Sequence, residues 1–172
     1  RKPLPGKLAF SRDLFVLLFL LRGMPFVDLA FLRRCDLQGN VITYHRRKTS
    51  RKLTVVVGKE AMEIIQKYMY AIPDSPYLFP IIQNPGKDEY GQYARMLRLQ
   101  NYRLTQVANI LGIRDRLSTY TARHTWATTA LRQNYNSSLI CDAMGHSSVK
   151  VTETYFQPYR DDEVNRMNSS LI

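Results

Sequence analysis

The sequence lacks any uncharged apolar run long enough to cross a bilayer. Its best candidate, LFVLLFLL at residues 14–21, is far shorter than the roughly 20 residues a spanning helix needs. No small-residue cleavage site follows it, so it does not read as a secretory signal either. Cysteine is scarce. Cys35 and Cys141 are the only two, both in apolar stretches, and they read as reduced, buried thiols rather than as a disulfide. Histidine occurs three times, and neither a carboxylate cluster nor a His/Asp ligand spacing is present. That argues against a metal-dependent nuclease. Together these shortages predict a cytoplasmic protein with no membrane span.

Acidic residues are sparse where basic ones are dense. The chain of 172 residues carries 25 Lys and Arg against 14 Asp and Glu. Residues 1–60 hold 13 basic and 4 acidic side chains, residues 61–172 hold 12 and 10. Such clustering is the electrostatic footprint of a polyanion binder. The length suits one domain with its own core.

RKPLPGK, with two prolines and a glycine, reads as a linker over residues 1–10 arriving from an N-terminal part. SRDLFVLLFLLRG predicts a helix, capped by Ser11, whose apolar residues cover nearly every face and so lie central to the core. Gly23 and Pro25 end it, and Pro25 suits the start of a second helix, FVDLAFLRR. NVITYHRRKTSRKLTVVV then changes period. Val41, Thr43 and His45 alternate against Ile42, Tyr44 and Arg46, LTVVV is the antiparallel partner, and KTSR is the turn. Further helices are predicted in GKEAMEIIQKYMYAI, EYGQYARMLRLQNYRLTQVANILGI, ARHTWATTALRQN, SSLICDAMG and SSVKVTETYF. The proline-rich stretch PDSPYLFPIIQNPGKD reads as loop, and residues 161–172 as an exposed tail helix with an acidic first turn. The fold class expected is mostly α with a small antiparallel β-hairpin, α+β, with the main domain at residues 11–160.

Breaking a phosphodiester without a metal needs a nucleophile and a way to hold the charge of the pentavalent transition state. Arginine suits the second task, because its planar fork gives two donors to phosphate oxygens and never loses its proton. Lysine can protonate the leaving oxygen, and histidine can donate a hydrogen bond or shuttle a proton. A tyrosine hydroxyl can attack and store the bond energy as a phosphotyrosine. Its pKa of about 10 means that nearby cations must help it ionise. The sequence offers these parts in order: Lys48 in a basic turn, Arg123 in a helix, His146 after a glycine, and Tyr155 nine residues later.

RHTWATTAL and MGHSSVKVTETY resemble the H-x-x-R-H-T-[FW]-A and L-G-H-s-s-x-x-t-T-x-x-Y segments of the tyrosine recombinases, also called phage integrases. The resemblance extends upstream through RGMPFVDLAFL and YHRRKT and covers nearly the whole chain. It implies DNA integration or recombination. Tyr155 would be the nucleophile forming a 3′-phosphotyrosyl link, and strand rejoining would consume no metal, nucleotide or other cofactor. Arg123 matches the family's second clamp arginine and His146 its late histidine. Lys48 matches the hairpin lysine that acts as general acid, with Arg46, Arg47, Arg51 and Lys52 competing for that place. Those four are otherwise expected to contact the DNA backbone.

Two positions depart from the pattern. Tyr120 stands where the family places a histidine or lysine. A phenol there can hydrogen-bond a phosphate but brings no positive charge, and simple packing is the other reading. Pro25 stands where the first clamp arginine belongs. Arg22, three residues and so about one helical turn earlier, is the expected substitute, with Arg33 and Arg34 as alternatives.

The partner implied is double-stranded DNA, with no small-molecule substrate, and with nucleoid association. The resemblance further implies a tetramer on DNA, with the C-terminal tail docked on a neighbouring protomer. A tail packed on its own domain is the alternative. A catalytically idle DNA-binding protein of the same fold and a type IB topoisomerase are the competing functional readings.

Overall fold

A computed structural model of the chain describes residues 4–154 and 161–171. The expected class holds: among the described residues eight α-helices accompany one small antiparallel sheet. Helix α1 (Gly6–Leu20) is the central element, packed by α3 (Lys59–Tyr68), α4 (Glu89–Leu111) and α5 (Thr119–Arg132). Its apolar residues point in every direction, so Leu14, Leu17 and Leu18 are completely buried among neighbours on several sides. The cap expected at Ser11 is corrected. The helix starts five residues earlier, behind Pro5, and Ser11 is a buried residue inside it. The segment read as linker is therefore helical from Gly6.

Asp13 is the exception on α1. Lys67, Tyr68 and Arg12 all donate to its carboxylate. These bonds outweigh burial, and its pKa lies below the usual carboxylate value. The network ties α1 to α3.

Short helix α2 (Phe26–Ala30) follows Pro25 and ends earlier than the sequence suggests, giving way to a 3₁₀ turn at Arg34–Asp36. The sheet has order β1-β2-β3, with β1 (Leu37–Gln38), β2 (Val41–His45) and β3 (Lys52–Val56). The predicted hairpin is present, with Thr43 opposite Thr54 and His45 opposite Lys52. Two-residue β1 is too short to leave a period in the sequence. Alternation buries Ile42 and Tyr44 on one face of β2. The loop between α3 and α4 carries no helix or strand, yet Leu78, Phe79 and Ile82 are fully buried. Cys141 is buried as expected, but Cys35 is exposed, because it lies in the 3₁₀ turn at the sheet's edge.

A second, smaller core joins α5 to α6 (Ser137–Met144) through Ala127, Ile140 and Met144, with Trp126 packed against them. Helices α7 (Val149–Glu153) and α8 (Asp161–Leu171) complete the described chain. Among the described residues no helix is long and apolar enough to cross a membrane.

Candidate active site

One cleft gathers side chains from several places distant in sequence, with Tyr93 and Leu97 of α4 forming part of its wall. Pro25, Phe26 and Val27 come from the start of α2, Arg46, Lys48 and Thr49 from the hairpin turn, and Thr119, Tyr120 and Arg123 from α5. His146 and Ser147 come from the turn after α6. Three cations line it, and no carboxylate does among the described residues.

Local sequence explains how each part is aimed. Ser118 caps α5, its hydroxyl accepting from the backbone N–H of Thr121, and Asn101 on α4 accepts from the N–H of Thr119. These contacts fix the helix's first turns. Tyr120 and Arg123, three residues apart, then share the face turned to the cleft. Asn136 caps α6 in the same way, accepting from Leu139. Gly145 ends α6 in the left-handed conformation (φ +64°), which turns the chain so that His146 enters the cleft. A Cβ at Gly145 would also lie 2.6 Å from Arg46 Cδ and 2.8 Å from Leu53 Cδ1, so only glycine leaves room there.

Arg123 is buried at 5% exposure. Its guanidinium donates to the carbonyl of Gly23, to the carbonyl of Met144 at 3.0 Å, and to His146 Nε2 at 2.6 Å. Arginine can only donate, so Nε2 accepts and the imidazole proton sits on Nδ1. Nδ1 in turn donates to Thr152 Oγ1 at 2.7 Å. This assigns a neutral His146. Burial, followed by the charges of Arg123, Arg46 and Lys48, lowers its pKa to about 4. The histidine's carbonyl is held from behind by Arg51, which also pairs with Asp142.

A base whose folded pKa lies below its unfolded value of about 6.5 adds stability at neutral pH. The unfolded state binds the extra proton first, so stability falls as pH drops from about 6.5 towards 4, by on the order of 3 kcal/mol in all. Imidazole NMR should show the His146 resonance titrating below pH 5, and a phosphodiester anion in the cleft should move that titration upward. A His146 titrating at 6.5 without ligand would contradict the geometry.

The structure brings Arg123, His146, Lys48 and Tyr120 to this cleft; Lys48 and Tyr120 are exposed at its edge. Tyr155 lies outside the described residues, immediately after the described end of this segment. Arg22 is not brought in. The one-turn spacing from Arg22 to position 25 does not carry its side chain there. Instead Arg22 (φ +59°) and Gly23 (φ +66°) are both left-handed and break the chain between α1 and α2. Arg22 donates to the carbonyl of Thr54 and lines a separate cavity with Phe19, Trp126 and Tyr135. The alternatives are also elsewhere. Arg34 donates to the carbonyls of Ile72 and Pro73 and lies over the ring of Tyr70. Arg33 is exposed and bridges to Tyr77.

Of the four residues expected to contact the DNA backbone, Arg47, Arg51 and Lys52 are exposed. Arg47 stacks on Phe31 at 3.8 Å. Arg46 differs from these three: it is buried at 7% exposure and paired with Asp28 at 3.2 Å, yet it lines the cleft. The signal was present in the sequence, because Arg46 continues the inward alternation of Ile42 and Tyr44. Asp28 and Thr152, which seat Arg46 and His146, were not anticipated.

The model of the phage integrase family matches residues 6–161. Tyrosine recombinase XerC of Thermodesulfovibrio yellowstonii is 26% identical over 167 residues, covering 89% of this chain and 52% of its own length. A tyrosine recombinase of Pseudothermotoga lettingae is 32% identical over 60 residues, covering 35% of this chain and 21% of its own length. The chain thus spans about half the length of the XerC relative. Among solved structures, XerA recombinase superposes with a TM-score of 0.63 at 20% identity, covering 99% of this chain and 65% of that one. XerH site-specific recombinase bound to its difH substrate superposes at 0.64 with 16% identity, covering 98% and 48%. These likenesses show the fold. With the family's model matched along nearly its whole length, the chain belongs to the phage integrases, the tyrosine recombinases.

Proposed function

We propose that this chain is the catalytic part of a site-specific recombinase that breaks and rejoins double-stranded DNA through Tyr155. The observation that carries the reading is the convergence of Arg123, His146, Lys48 and Tyr120 on one cation-lined cleft, immediately before the segment that holds Tyr155. In this reading the scissile phosphate occupies the cleft. Arg123, fixed in place before the ligand arrives, donates to a non-bridging oxygen and stabilises the charge that builds in the transition state. Tyr155 gives up its proton to solvent water and attacks phosphorus. The bond to the 5′ oxygen breaks, and Lys48 protonates that oxygen as it leaves. A 3′-phosphotyrosyl link remains, and a 5′-hydroxyl from a second strand reverses the step. Arg47, Arg51 and Lys52 extend the basic surface from the hairpin to the flanking phosphates. Assembly is as a tetramer, with the C-terminal tail exchanged between protomers.

The test uses a pool of short duplexes with randomised cores, each nicked so that the 5′ product diffuses away after cleavage. Incubated in EDTA, the wild-type chain should become covalently attached to selected members, seen as a denaturant-stable band. Binding without any adduct would mean an idle DNA-binding protein. Relaxation of a supercoiled plasmid that lacks every captured sequence would favour the topoisomerase reading. Loss of the adduct in EDTA would indicate metal chemistry.

A further inference from the structure

The cleft contains a second guanidinium besides Arg123. We infer that Arg46 is the other arginine clamp on the scissile phosphate, supplied by the hairpin because Pro25 leaves α2 without one. This inference rests on the reading of the cleft as a phosphodiester site.

Several independent observations converge. Pro25 lines the cleft but offers no donor to it. Arg46 lines the same cleft from the hairpin turn. One helical turn after Pro25, Asp28 reaches back to seat it. Asp28 Oδ2 accepts from Arg46 Nε at 3.2 Å, while Oδ1 accepts from the backbone N–H of Arg47 at 2.9 Å. Helix α2 therefore contributes the carboxylate that positions an arginine rather than the arginine itself. Arg46 Nη1 donates to the carbonyls of Met144 at 3.0 Å and Gly145 at 2.9 Å. Arg123 donates to that same Met144 oxygen at 3.0 Å. Two buried guanidinium groups thus converge on one backbone oxygen, next to His146.

Burying two like charges so close together is costly unless an anion sits between or beside them. Asp28 balances one. The other positive charge, with Lys48 at the rim, matches a phosphodiester. Arg46 is also pre-set for the task. Nε and Nη1 are tied down, and among the described residues no hydrogen bond engages Nη2. A fork anchored along one side and open at one nitrogen suits a ligand oxygen, with little reorganisation on binding. The missing Cβ at Gly145 is what lets the Arg46 stem pass at that point.

A purely structural salt bridge would also be buried, so the experiment must separate the two roles. The captured duplex is made in two forms, with a phosphodiester or with an uncharged methylphosphonate at the scissile position. Adduct rates are measured for wild type, Arg46→Ala and Arg46→Lys, with thermal melts as a check on folding. Arg46→Ala is expected to lose about 100-fold or more on the phosphodiester. On the methylphosphonate, where there is less charge to clamp, most of that loss should vanish. Arg46→Lys keeps a charge for Asp28 but not the fork, and should show the same selective loss in smaller degree, which serves if the alanine variant does not fold. Equal losses on both substrates, or no loss, would overturn the inference. A wild-type chain that forms no adduct would instead overturn the recombinase reading itself.

Discussion

Tyr155→Phe is expected to abolish covalent capture of DNA and to leave DNA binding nearly unchanged. The substitution removes one oxygen and keeps the ring, so shape and apolar contacts persist while the lone pair that attacks phosphorus is lost. No intermediate activity is expected, because a phenyl ring has no nucleophilic atom. The chain holds eleven tyrosines, and Tyr120 lines the same cleft. An adduct surviving in Tyr155→Phe would therefore assign the attack to another hydroxyl, with Tyr120 the first to examine by a matching Phe substitution.

The second large effect is expected at Arg123. Arg123→Ala should lower the rate of adduct formation by about 10³-fold, the upper range for removing a pre-aligned charged donor. Stability should also fall, because the guanidinium serves three buried acceptors at once: the carbonyls of Gly23 and Met144, and His146 Nε2. Leaving these without a donor costs about 2 kcal/mol, a drop in Tm of about 4–8 °C for a chain of this size. Arg123→Lys keeps the charge, but an ammonium on a flexible stem lacks the planar fork that meets these acceptors. It should recover part of the stability and little of the rate. Loss of the neighbouring guanidinium should also raise the His146 pKa from about 4, since the Arg123 charge is the largest contributor to its depression after burial. That shift is an internal check that the two side chains form one unit.

Much of this site was legible in the sequence because its signals are local. The hairpin follows from two alternating runs around a polar turn. The cap at Ser118 and the glycine after Met144 place Arg123 and His146 near helix ends, where a backbone turn can aim them. The same alternation marked Arg46 as inward-facing, yet a basic turn reads first as solvated surface. What reverses that reading is Asp28, 18 residues away, and carbonyls 98 and 99 residues away, which no local pattern reveals. Arg22 lies away from the cleft for a different reason. Spacing arguments of one turn hold only within a continuous helix, and consecutive left-handed residues at positions 22 and 23 reset the direction of the chain. Ser11 misled for a third reason. Serine is a favoured cap, but Ser11 is itself buried inside helix α1, which extends past it to Pro5.

In the proposed mechanism the oxygen of Tyr155 attacks a phosphorus atom seated between guanidinium groups. The most direct test is to digest the wild-type adduct with protease and nuclease and to locate the nucleotide by mass spectrometry. A single 3′-linked deoxynucleotide is expected on the peptide containing Tyr155, with a free 5′-hydroxyl on the released strand. A nucleotide found on any other side chain, or a 5′-phosphate on the released strand, would contradict the mechanism.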